Sequence, residues 1–85
     1  MPKAKVTKVI DGDTFAIPRK VIRLANVDAP ELGTKGGADA KNQLKNLIQN
    51  KTITYNPVGK SYNRIVAQVR LAGKSINQSM RNKLR

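Results

Sequence analysis

The sequence predicts a mainly β, α+β fold: five short strands curled into a small barrel, a helix between strands 3 and 4, and a short C-terminal helix. Three observations predict it. Apolar residues come in short runs of strand length, separated by Gly, Pro, Asn and Asp. One longer segment instead carries apolar residues at helical spacing. With 85 residues and 39% hydrophobic content, the chain can fill one modest core, so residues 1–85 read as a single domain.

The elements follow in order. Ala4 to Ile10 reads as the first strand, and Asp11-Gly12-Asp13 is a strong hairpin turn. Thr14 to Ile17 is the second strand, Pro18-Arg19-Lys20 a turn, and Val21 to Leu24 the third. Residues 26 to 37, rich in Gly, Pro and Thr, read as a loop. Ala40, Leu44, Leu47 and Ile48 then repeat at i, i+4, i+7 and i+8, with Asp39 expected in the first helical turn, where the dipole favours a carboxylate. Asn50 closes that helix. Thr52 to Tyr55 is a fourth strand, stopped by Pro57 and Gly59, and Ile65 to Leu71 an alternating fifth. After the Ala72-Gly73-Lys74 turn, Ser75 can cap a last helix carrying Ile76, Met80 and Leu84. Five strands with a helix between the third and fourth match an OB-type barrel, a fold that commonly binds nucleic acids and oligosaccharides.

Composition narrows the chemistry. The chain has no Cys and no His. That excludes disulfides, zinc–thiolate sites, thiol nucleophiles and the Ser-His-Asp triad, and leaves hard cations on oxygen ligands as the metals to expect. Lys and Arg number 17 against 5 Asp and Glu, a net charge of +12, above the magnitude of roughly 2–8 suited to a small soluble domain. Self-repulsion of that size points to a polyanionic partner, nucleic acid first. No segment sets lysines on one helical face against large apolar residues on the other, as a membrane-surface helix would. No apolar run approaches the roughly 20 residues of a membrane span. No signal-peptide core follows the charged start Met1-Pro2-Lys3-Ala4-Lys5, so the chain reads as cytoplasmic, though a trimmed secreted form would read the same.

The few acids are concentrated. Asp11, Asp13, Asp28 and Glu31 lie within 21 residues of one another. Carboxylates repel phosphate, so grouping them in a basic protein makes sense if a cation sits between them and the ligand. Turn formation explains either Asp pair alone; the set together favours a metal site.

The ordered pieces Ile10-Asp11-Gly12-Asp13-Thr14, Val21-Ile22-Arg23-Leu24, Val27-Asp28-Ala29-Pro30-Glu31, Gly37-Ala38-Asp39-Ala40 and Tyr62-Asn63-Arg64 resemble the staphylococcal nuclease (thermonuclease) family. The resemblance spans nearly the whole chain. It implies a Ca²⁺-dependent, sequence-nonspecific nuclease acting on DNA, RNA or both, which cuts the 5′ P–O bond and leaves 3′-phosphate ends. Asp13, Asp28 and the main-chain carbonyl of Ala29 would hold Ca²⁺; Ala29 stands where the family often has Thr. Arg23 and Arg64 would grip the scissile phosphate, and Glu31 would orient or deprotonate the attacking water. Asp11 and Thr14 would support the ligands. Lys60 and Tyr62 would contact substrate, with Lys60 taking the place of a family lysine that is Ser61 here. Asn63 replaces a family Gly and is expected to carry the positive φ of that turn. Phe15 and Tyr55 are expected to pack rather than bind.

The chain also resembles a short member of that family, without the further helix and nucleotide-flanking tyrosines of longer ones. Weaker nucleotide selectivity follows, and either low stability or a dimer that covers the barrel. The alternative is a non-catalytic OB-type nucleic-acid-binding module. Retention of Asp13, Arg23, Asp28, Glu31 and Arg64 together favours the nuclease.

Overall fold

A computed structural model describes residues 2–30 and 33–84. The strands are β1 (Lys3–Lys5), β2 (Lys8–Asp11), β3 (Thr14–Ile17), β4 (Lys20–Leu24), β5 (Thr52–Ser61), β6 (Arg64–Leu71) and β7 (Lys74–Ser75). Helix α1 (Lys35–Ile48) lies between β4 and β5, and α2 (Ile76–Lys83) follows β7. The helix therefore separates the fourth and fifth strands, not the third and fourth. The shift arises because the expected first strand is two: β1 and β2 are broken at Val6-Thr7, whose amides bond to Lys51 and Ala16 carbonyls. The short β7 pairs with β6.

The strand order β1-β5-β6-β4-β3-β2 places the two halves of that bent N-terminal strand at opposite ends of one curled sheet. All pairings are antiparallel except β4 with β6. This is the connectivity of an OB-like barrel. Alternation along the strands turns Val9, Phe15, Ile17, Ile22, Leu24, Ile53, Tyr55, Ala67 and Val69 into the core. Leu44 and Ile48 from α1, and Ile76 and Met80 from α2, close it. Full burial of one such side chain stabilises by about 1.5–3 kcal/mol. Phe15 and Tyr55 are packing residues, as expected.

Three local expectations are corrected. Thr34 caps α1, its hydroxyl accepting from the Gly37 amide at 3.0 Å, so the helix begins at Lys35 and Gly36 and Gly37 fall within it. Asp39 then lies beyond the first turn, which holds no acid. Pro57 does not stop the fourth expected strand. β5 continues to Ser61 because a register shift between Pro57 and Gly59 absorbs the irregularity. Finally, Tyr62, not Asn63, takes the positive φ, +56°, in the β5–β6 turn. Ser75 caps α2 as anticipated, accepting from the Gln78 amide at 3.1 Å. Among the described residues no helix is long and apolar enough to cross a membrane.

Candidate active site

The β2–β3 hairpin and the loop after β4 meet at one pole of the barrel. Asp11 pairs with Thr14 across the tight Gly12–Asp13 turn. The Asp11 side chain forms that turn, its Oδ1 accepting from the Asp13 amide at 3.0 Å. Gly12 is required by proximity. A Cβ there would stand 2.5 Å from the Ala40 Cβ of α1 and 2.8 Å from the Ala29 Cβ. The hairpin, α1 and the loop after β4 thus close on one another around the turn that presents Asp13.

The Asp13 side chain is largely buried, and the donors around it belong to the site. Thr14 Oγ1 donates to Oδ1 at 2.8 Å. The Ala29 amide and Arg23 Nη2 donate to Oδ2, both at 3.4 Å. Arg23 lies on β4 between the inward-facing Ile22 and Leu24, and so points away from the core. Its Nη2 also reaches Asp28 Oδ1 at 3.4 Å and the Val27 carbonyl at 3.2 Å, and Nη1 reaches the Leu24 carbonyl at 3.4 Å. One guanidinium nitrogen therefore joins a buried carboxylate to the exposed carboxylate of Asp28.

The two acids of the turn are driven apart in acidity. Burial pushes the Asp13 carboxyl up, assisted by its hydrogen bond with Asp11 and by that neighbour's charge, against the Thr14 hydroxyl and the Ala29 amide. Burial acts on Asp11 in the same sense, but it is outweighed. Hydrogen bonds from Asp13 and Thr14 and the positive charge of Arg64 hold Asp11 below the usual carboxylate value. Arg64, at the start of β6, is thereby within electrostatic reach of the acid pole. The register adds to this. Arg23 is level with Val66 on the parallel neighbour β6, and Arg64 lies two residues before Val66, on the same face.

Asp13, Arg23, Asp28 and Ala29 are brought together, and Arg64 acts electrostatically on the neighbouring Asp11. Lys60 and Tyr62 sit farther along, lining a groove that also includes Arg64. Glu31 lies outside the described residues. Among the described residues no three acidic side chains gather into a metal cage. Two carboxylate oxygens nevertheless share a single cationic atom, and the chain offers only hard oxygen donors there. That donor chemistry fits a Ca²⁺ ion.

Asn77 has a role that motif reading missed. Fully buried on α2, its Oδ1 accepts from the Val69 amide at 2.8 Å, and its Nδ2 donates to the Ala25 and Ala67 carbonyls at 3.0 and 3.1 Å. It fastens the start of the loop carrying Asp28 to β6. The only sequence signal is a polar residue next to Ile76, inside an amphipathic helix.

The profile of the family described as staphylococcal nuclease homologue matches residues 21–83. A protein of Escherichia coli named "Uncharacterized endonuclease" is 38% identical over 82 residues, covering 89% of this chain and 54% of that protein. A protein of the same name from Haemophilus influenzae is 34% identical over 82 residues, covering 89% of this chain and 46% of its own length. The chain spans about half the length of these curated relatives. A profile match over most of the chain, taking in the strands of both arginines and the loop of Asp28, places the protein in the staphylococcal nuclease homologue family.

Proposed function

We propose that the protein is a Ca²⁺-dependent, sequence-nonspecific nuclease that hydrolyses phosphodiester bonds of DNA, RNA or both. The observation that carries this reading is the convergence of Asp13 and Asp28 on one cationic atom of Arg23. A phosphodiester resists attack because it is anionic, so hydrolysis needs charge neutralisation, a positioned water and stabilisation of the departing oxygen. Asp13, Asp28 and the Ala29 carbonyl would hold Ca²⁺, which supplies Lewis-acid neutralisation of the phosphate.

The chain's own groups do the rest. Arg23 presents a planar fork matched to phosphate oxygens. Within the protein alone that fork is held by two carboxylates and the Val27 and Leu24 carbonyls; substrate binding turns it towards phosphate. Arg64 supplies a second guanidinium from β6. Thr14 and the Ala29 amide fix the Asp13 carboxylate, and Asp11 fixes the turn that carries it. Glu31 is assigned to orient the attacking water, a task an ordinary carboxylate, with a pKa near about 4.3, performs while ionised at neutral pH.

The second reading is a nucleic-acid-binding module without catalysis. Digestion of single-stranded DNA in Ca²⁺ and then in EGTA separates the two. The nuclease cuts in Ca²⁺ and stops in EGTA, and Glu31→Gln loses cutting while retaining binding. Absence of Ca²⁺-dependent cutting by the wild type overturns the catalytic reading. An unchanged rate in Glu31→Gln removes that residue from the mechanism.

A further inference from the structure

Beyond the acid pole, a groove of about 710 Å³ runs between the β3–β4 and β5–β6 turns. Its polar lining comprises Arg19, Lys20, Lys60, Tyr62, Asn63 and Arg64, with no carboxylate among the described lining residues. The volume lies within the roughly 300–1,000 Å³ of small-ligand sites. Arg64 belongs to this groove and also acts electrostatically on Asp11, so one residue links the groove to the acid pole.

The backbone marks both walls. Five non-glycine residues among those described have positive φ: Arg19, Asn26, Asn50, Tyr62 and Ala72. Asn visits this region readily, and Ala72 belongs to a turn with Gly73. Arg19 and Tyr62 have no such local excuse, and both line this groove. Arg19, with φ +68°, follows Pro18 in a two-residue turn closed by the Ile17–Lys20 pair. Proline followed by a left-handed residue is the pattern of a type II turn, whose second central position ordinarily belongs to Gly. Tyr62 is 97% exposed, an aromatic ring standing in solvent at a hairpin position that favours Gly, Asn or Asp. Strained backbone that presents ligand-capable side chains is a recurrent mark of functional surfaces.

We infer that this groove is an extended subsite for a single-stranded segment of nucleic acid flanking the scissile phosphate, in which Arg19 and Lys20 contact backbone phosphates. The inference rests on the nuclease reading for where the strand is cut. Charge selects a phosphate backbone, and the exposed Tyr62 ring offers a stacking platform that only an unpaired base can use. A duplex keeps its bases out of reach of that ring.

The test uses Arg19→Gly/Lys20→Ala against Lys74→Ala/Lys83→Ala, which removes the same charge from a cleft sharing no residue with the groove. The probe is labelled oligothymidylate of about 12 nucleotides, within the roughly 4–16 that an OB barrel occupies. It is titrated in EDTA by anisotropy at several salt concentrations. The groove variant should bind it about tenfold more weakly, with the log–log salt slope reduced by about 0.7 for each phosphate that the protein no longer neutralises. Glycine at position 19 relieves the left-handed strain, so the thermal midpoint should hold or rise, which separates lost binding from lost folding. Cleavage in Ca²⁺ should show a raised KM on the long strand and an unchanged rate on a dinucleotide. Equal weakening by both double variants, or equal loss on a matched duplex, overturns the subsite. Failure of the nuclease reading looks different: the wild type then cuts neither substrate, whatever the binding shows.

Discussion

The acid pole and the basic groove share Arg64 but are built on opposite principles. At the pole, polar groups are tied down. Asp13 is buried among hydrogen-bonding neighbours, Gly12 is wedged against α1, and Asn77 clips the loop entrance to β6. Along the groove, cationic and aromatic side chains stand in solvent on tight turns, and their backbone carries the strain. Fixed carboxylates suit a site that must hold one geometry, because preorganisation is where electrostatic stabilisation comes from. Exposed cations suit a polymer whose sequence is not read, because phosphate contacts carry no sequence information.

Removing the clip should break the contrast most strongly. Asn77→Ala leaves the Val69 amide and the Ala25 carbonyl without their side-chain partner in the interior, at about 1–3 kcal/mol each. Chemical denaturation should show a loss of about 2–6 kcal/mol, and cutting should suffer more than oligonucleotide binding in the groove. An unchanged denaturation midpoint would mean that the loop is held by other contacts.

Ligand addition comes next. A cation binding the folded pole stabilises by about 2.7 kcal/mol at a hundredfold excess over Kd. Calcium should therefore raise the thermal midpoint of the wild type, and Asp28→Asn should blunt that rise. A midpoint indifferent to calcium at millimolar concentration would remove the ion from the pole.

The smallest effect is one of acidity, measured without metal. The folded-state pKa of Asp13 is raised above its ordinary 3.8. The ionised form therefore penalises the fold at neutral pH, and the penalty fades as pH falls towards that value. Asp11 is lowered instead, so its stabilising contribution persists above 3.8 and is lost only below it. The stability difference between wild type and Asp13→Asn should thus move in favour of the wild type on acidification from neutral pH towards about 4. A flat difference would show that burial does not set the acidity of Asp13.

The two regions also differ in how legible they are in the sequence. The acid pole is readable because its chemistry is local: Asp11-Gly12-Asp13 forms its own turn, and Arg23 and Asp28 lie close together along the chain. The strands carrying them follow from alternation, and Thr14–Ile17 matches residue for residue. Misreadings arise where tertiary structure overrides local preference. Pro57 ends an isolated strand, yet here a bulge carries it through. Asn63 is the better left-handed residue, yet Tyr62 takes that conformation. The groove joins two turns far apart in the chain, and no local pattern announces that meeting. Asn77 is invisible for the same reason, since its partners lie on β6 and in the loop after β4.

The broken N-terminal strand has a consequence for how the molecule is assembled. Lys3 to Lys5 are synthesised well before their partners, Thr52 to Thr54. Ring closure across that interval must await all the residues between the two strands, and distant pairings are entropically slow. The β2–β3–β4 meander, whose partners are neighbours in sequence, can form early, leaving β1 as the seam that zips shut last.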